Sequence, residues 1–174
     1  MFLILAFLII ASRLLPHAPN FTAVMACTLF AAVQFRSATA LFIILLSYWI
    51  SDIIINNFMY HSSSGFKWAS NSLAWIYIPL IINFLISKWY LKKDFEPLKL
   101  IPASLLVSCV FFLLTNLGVW QSGSLYPKDI SGLVSCYLAA IPFFGNEIAG
   151  TLFFSCCLFS AFWIYETKLI KQHA

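Results

Sequence analysis

Leu114 to Asn146 reads LTNLGVWQSGSLYPKDISGLVSCYLAAIPFFGN. It is the one long interval where polar, glycine, proline and aromatic residues interleave inside an otherwise apolar chain. Thr115 and Asn116 close one hydrophobic run, and Asn146 opens the next. Polar side chains at membrane depth are costly unless they are paired or line a cavity. The interval therefore reads as a binding site on one face of a helical membrane bundle.

The rest of the chain supports the membrane setting. Of 174 residues, 62% are hydrophobic and 9% charged, with a mean hydropathy of +0.92. Soluble domains carry roughly 25% charged residues. Several apolar runs of roughly 20 residues point to an all-α, polytopic bundle of about six transmembrane helices. No polar linker is long enough to divide residues 1–174 into two domains. The net charge of +4 sits in short loops and a short tail, where it sets topology rather than binding nucleic acid. The five cysteines form no CxxC pair and read as small apolar packing residues.

Met1–Leu15 lacks a basic leader and a clear cleavage site, so it reads as a short first span that stays. Pro16 and Pro19 forbid a continuous helix through RLLPHAPNFT. Asn20 or Thr22 is the expected cap of a second span, Phe21–Phe35. In that span Ala23, Cys27 and Ala31 form a small-residue stripe, suited to packing within the bundle or to docking a partner. A third span, Ala38–Phe58, carries Asp52 near its end, where it should face the bundle or the interface. Further spans are expected at Trp68–Tyr90, kinked at Pro79, at Leu100–Leu117 and at Phe143–Tyr165. Residues 131–141 are expected to form a separate short helix, interfacial or re-entrant.

Six spans place Arg36, Lys88, Lys92, Lys93, Lys99, Lys168 and Lys171 on one side, seven of the ten basic residues. The positive-inside rule then makes both termini cytoplasmic. Arg13–Thr22, Asp52, Thr115–Asn116, Trp120–Pro127 and Asn146 fall together on the outer face, which suggests capture of something from outside.

Enzyme signatures are thin. His17, His61 and His173 have no metal-binding spacing, and there is no GxSxG, P-loop or GxGxxG. No metal, cofactor or catalysis is expected. Asp52 and Glu147 are the acids able to pair, but nothing in the sequence pairs them. Asn56, Asn116 and Asn146 offer donors and acceptors, and Trp120 and Tyr126 offer flat faces with a polar tip. Such groups suit a neutral or zwitterionic ligand with rings, or else an interfacial belt and broken helix ends. Arg13 and His17 suit an anionic group or interfacial anchoring.

RLLPHAPNFT, Ser51-Asp52, TNLGVW with YPKDISGL, and CYLAAIPFFGN together resemble a bacterial family of uncharacterised integral membrane proteins. That family is similar to the substrate-binding subunits of energy-coupling factor transporters, six-helix proteins that capture vitamins, precursors or metal ions. The resemblance implies Arg13, Pro16, His17, Asn20, Asp52, Asn116, Trp120, Tyr126 and Asn146 as the motif positions. It departs at Thr151, where an acid is expected after Gly150. The expected function is capture of a small solute at the outer face of the cytoplasmic (inner) membrane, with lipid around it and an energy-coupling membrane subunit and ATPases as partners. The alternative is a membrane scaffold with an external aromatic interface.

Overall fold

The computed structural model describes residues 1–59, 65–91 and 97–173. Parts of the polar loop after Met59 and of the charged loop after Leu91, including His61, Lys92 and Lys93, lie outside the described residues. The helices are α1 (Phe2–Leu14), α2 (Val24–Gln34), α3 (Ala38–Ile54), α4 (Leu73–Tyr90), α5 (Leu100–Ser122) and α6 (Ile130–His173). No strand occurs among the described residues. Four stretches are long and apolar enough to cross a membrane: Ala38–Met59, Leu73–Tyr90, Leu100–Ser122 and Ile130–Lys168.

The other two helices are short. At 1.5 Å per residue, α1 spans about 20 Å and α2 about 17 Å, against a hydrocarbon core of about 30 Å. Pro16 ends α1, as expected. Asn20 then turns the chain with φ 65°, a conformation asparagine tolerates better than most residues. Neither Asn20 nor Thr22 caps α2. The helix starts at Val24, and the Ala23 amide donates to Ser12 Oγ of α1 at 3.0 Å. Phe2 packs on Phe35 with ring centroids 4.5 Å apart. The two helices therefore run antiparallel as a hairpin tied at both ends.

The hairpin's second arm is the centre of the bundle. Every residue from Val24 to Val33 is buried, and α2 touches all five other helices. A helix apolar on all sides is stable only when surrounded. Ala23, Cys27 and Ala31 are fully buried, so the small-residue stripe serves packing within the bundle. Arg36 locks the α2–α3 turn by donating to the carbonyls of Lys88 (2.8 Å) and Leu91 (3.1 Å) at the end of α4, where helical carbonyls lack partners. Asn83 of α4 donates to the Val107 carbonyl of α5 at 2.9 Å. The cysteines are free, with Cys27 and Cys136 buried and Cys156 and Cys157 on the outer surface of α6.

Three expected boundaries move. Helix α4 begins at Leu73, leaving Trp68 and Asn71 in the preceding loop, and it continues through Pro79. Helix α5 runs on to Ser122, so TNLGVW is helical. Gly118 does not break it; a Cβ there would collide with the Trp75 ring of α4. The separate helix expected over 131–141 does not exist. It is the first part of a 44-residue α6 that passes through Pro142. Contacts to α5 hold that helix on both sides of the proline. Tyr137 OH donates to Leu113 O at 2.7 Å before it, and Phe144 packs on Phe112 at 4.5 Å after it. Its start is capped by Asp129, whose Oδ1 accepts from the Gly132 amide at 2.8 Å and from Ser131 Oγ at 2.9 Å. These bonds, the Gly132 amide first, hold the Asp129 carboxyl below its ordinary pKa.

The Gly118 contact gives a direct test of α4–α5 packing. Gly118→Ala forces a methyl group into the Trp75 ring and should cost about 1–3 kcal/mol. The measurement is thermal melting of the purified protein in detergent, with an alanine at the exposed position Leu113 as control.

Candidate functional site

The short hairpin leaves a recess. Ala38–Met59 spans about 33 Å while α1 stops after about 20 Å; the α1–α2 linker that follows is exposed from Leu15 to Asn20 and half-buried at Phe21 and Thr22. Above it is a cavity of about 520 Å³, within the 300–1,000 Å³ usual for small-molecule sites. The linker supplies His17, Pro19, Asn20 and Thr22, and the four long helices supply the walls. Gly150 lets α6 lie against the linker, since a Cβ would sit 3.1 Å from the Phe21 Cα and the Thr22 amide nitrogen. Ile55 and Met59 of the wall belong to a π-helical turn, Ile55–Met59, that ends α3, a device often found at functional sites.

Arg13 lies at the end of α1 and its side chain is 12% exposed. Its guanidinium lies 3.5 Å from the centroid of the Tyr48 ring, a close cation–π stack. Nη2 is 3.9 Å from Asp52 Oδ1, and Nε has no hydrogen-bond partner in the protein. Asp52 is already engaged. Its Oδ2 accepts from the Ser70 amide at 2.8 Å and its Oδ1 from Ser70 Oγ at 2.7 Å. Asn56 donates to the same hydroxyl at 2.9 Å. Asn57 accepts from the Lys67 amide and donates to its carbonyl, both at 2.8 Å. Asp52, Asn56 and Asn57 thus fasten the loop before α4 onto the end of α3.

The facing wall carries Glu147 of α6, 6% exposed. Thr151, one turn further along, donates to Glu147 Oε1 at 3.4 Å and accepts from Ser108 Oγ at 3.1 Å. The position where the resemblance expects an acid therefore holds a hydroxyl that supports an acid one turn away.

A family model described as a family of unknown function (DUF6580) matches residues 1–173. The chain belongs to that family. The match agrees with the expected uncharacterised family and carries no link to the capture subunits of energy-coupling factor transporters. No curated protein and no solved structure matches the chain.

Within this DUF6580 chain, Arg13, His17, Asn20 and Asn116 line the cavity. Asp52 stands behind Arg13 and pairs with it rather than with Glu147. Trp120, Tyr126 and Asn146 are not among the lining residues. Trp120 is spent on loop closure: its indole N–H donates to Pro127 O at 2.8 Å. The Lys128 ammonium sits near its ring and donates to the carbonyls of Trp120 and Gly123. Asn146 is half-buried on α6, turned about 100° from its neighbour Glu147. Glu147, weighed in the sequence only as an acid able to pair with Asp52, and Tyr48 were not among the expected site residues. Glu147 had a signal, being the one acid in the interior of the last apolar run. Tyr48 had none, because an aromatic in a span is ordinarily packing.

The Arg13–Asp52 pair should behave as a coupled unit. Asp52→Asn leaves a buried guanidinium without its counter-charge and should destabilise by about 3 kcal/mol or more. The double variant Arg13→Gln with Asp52→Asn should recover part of that loss. A double-mutant cycle on melting temperature in detergent measures the coupling; strict additivity would mean that the two side chains do not interact.

Proposed function

We propose that this protein is a capture component of the cytoplasmic membrane. It takes a small organic solute into the recess above the α1–α2 hairpin from the extracytoplasmic side, and the solute then moves inward. The observation that carries this reading is the cavity of about 520 Å³, lined by Arg13, Asn20, Asn116 and Glu147. A membrane protein that only scaffolds has no need to hold a guanidinium and a carboxyl group around one concave space.

The direction follows from charge. The end of the bundle with Phe2 and Phe35 also holds Arg36, Lys88 and Lys99, and α6 leaves it with Lys168 and Lys171. Placed in the cytoplasm by the positive-inside rule, that end puts the linker and cavity toward the outside. On this reading the protein is not an enzyme. Energy comes from a partner, a membrane subunit with ATPases docking from the cytoplasm. The alternative of a scaffold finds its support in the Phe66–Trp68 pair, with rings 4.9 Å apart and both side chains well exposed.

Native mass spectrometry of the protein purified from its host in mild detergent should find a bound small molecule. Arg13→Gln should release it. Absence of any co-purifying solute, with no melting shift across a small-molecule panel, would overturn capture and favour the scaffold.

A further inference from the structure

We infer that the captured solute is an organic cation, with an ammonium-type group held by Glu147. This rests on the capture reading above and names the chemical class for the same cavity.

Arg13, 12% exposed, and Glu147, 6% exposed, are the little-exposed basic and acidic side chains that line the space, with His17 exposed nearby. Arg13 is answered within the protein by Asp52 behind it and the Tyr48 ring beneath it. Glu147 is not answered. It is 6% exposed, and the hydrogen bond it receives comes from the neutral Thr151 hydroxyl at 3.4 Å. No basic side chain among the described residues stands within ion-pair distance of it. A buried carboxyl group ionises at least cost when a cation stands against it. Nothing on the α5 side compensates, since Ser108 and Thr115 there are neutral and both hydroxyls donate elsewhere, to Thr151 and to the Phe111 carbonyl. An incoming cation supplies the missing charge.

The rest of the cavity says what kind of cation. Tyr48, Phe111 and Phe143 line the same space as Glu147, and aromatic faces attract ammonium groups. A bare metal ion fits poorly. Metals of the protein kind need four or more close N, O or S ligands, and among the described residues no three His, Cys, Asp or Glu side chains gather. The volume suits an ammonium group attached to an apolar body.

The test uses three probes that share an indolylethyl body and end in a cationic, neutral or anionic group: tryptamine, the alcohol tryptophol, and indole-3-propionate. Binding to the full chain in detergent micelles is measured by thermophoresis near pH 7. Tryptamine should bind about tenfold or more tightly than the other two. Glu147→Gln should remove that preference, bringing tryptamine down to the level of tryptophol, with melting recorded to verify folding. Phe143→Leu, at a partly exposed position, should weaken tryptamine more than tryptophol. Equal binding of the three probes, a preference that survives Glu147→Gln, or no binding of any probe overturns the inference. So does a neutral or anionic solute found by native mass spectrometry, and that result leaves capture itself standing.

Discussion

Everything in this bundle depends on α2 being buried from all sides while being too short to cross a bilayer. Its eleven residues give the other helices a common surface to pack on. Its neighbours need length to span the hydrocarbon, and α2 does not supply it. The difference appears as empty space at one end of the bundle. The prolines at 16 and 19 set where α1 must stop, and Ser12 bonding to the Ala23 amide returns the chain at that depth. The cavity is thus a consequence of helix length, and its polar lining is a consequence of which residues make the turn.

The electrostatics follow from the same arrangement. Arg13 ends α1 with its side chain only 12% exposed, where an unpaired guanidinium would be expensive. Tyr48 and Asp52 of α3 offset that cost, and Asp52 in turn is steadied by Ser70. On the opposite wall the support is weaker: a chain of hydroxyls, Ser108 to Thr151 to Glu147. The two walls are therefore unequal, one carrying an ion pair and the other a carboxyl group that hydroxyls alone support.

Much of this was legible in the residues, and what was not has physical reasons. Composition gave the helical membrane class, and the two prolines gave the broken first hairpin. The polar positions of RLLPHAPNFT and Asn116 fall on the cavity because polar groups at that depth need a lined space. Glycine and proline misled. The expected elements stop just before Gly118 and Pro142, yet each of these lies inside a helix fixed by its neighbours, through the Trp75 ring in one case and Tyr137 and Phe144 in the other. Helix face was the other obstacle. Asn146 and Glu147 are adjacent in sequence, but a step of about 100° decides which one reaches the cavity. Trp120 and Tyr126 have the chemistry of a binding site but sit at a helix end, where the indole N–H is used by Pro127.

Helix α6 is about 66 Å long at 1.5 Å per residue, and it has no loop between Ile130 and His173. A bilayer with its headgroups measures about 40–45 Å, so the rod outreaches the membrane. Glu147 sits partway along it, against a cavity whose other walls stand on separate helices. Glu147 and the far end of α6 therefore belong to one unbroken element, with no loop between them to decouple the cavity wall from the helix end.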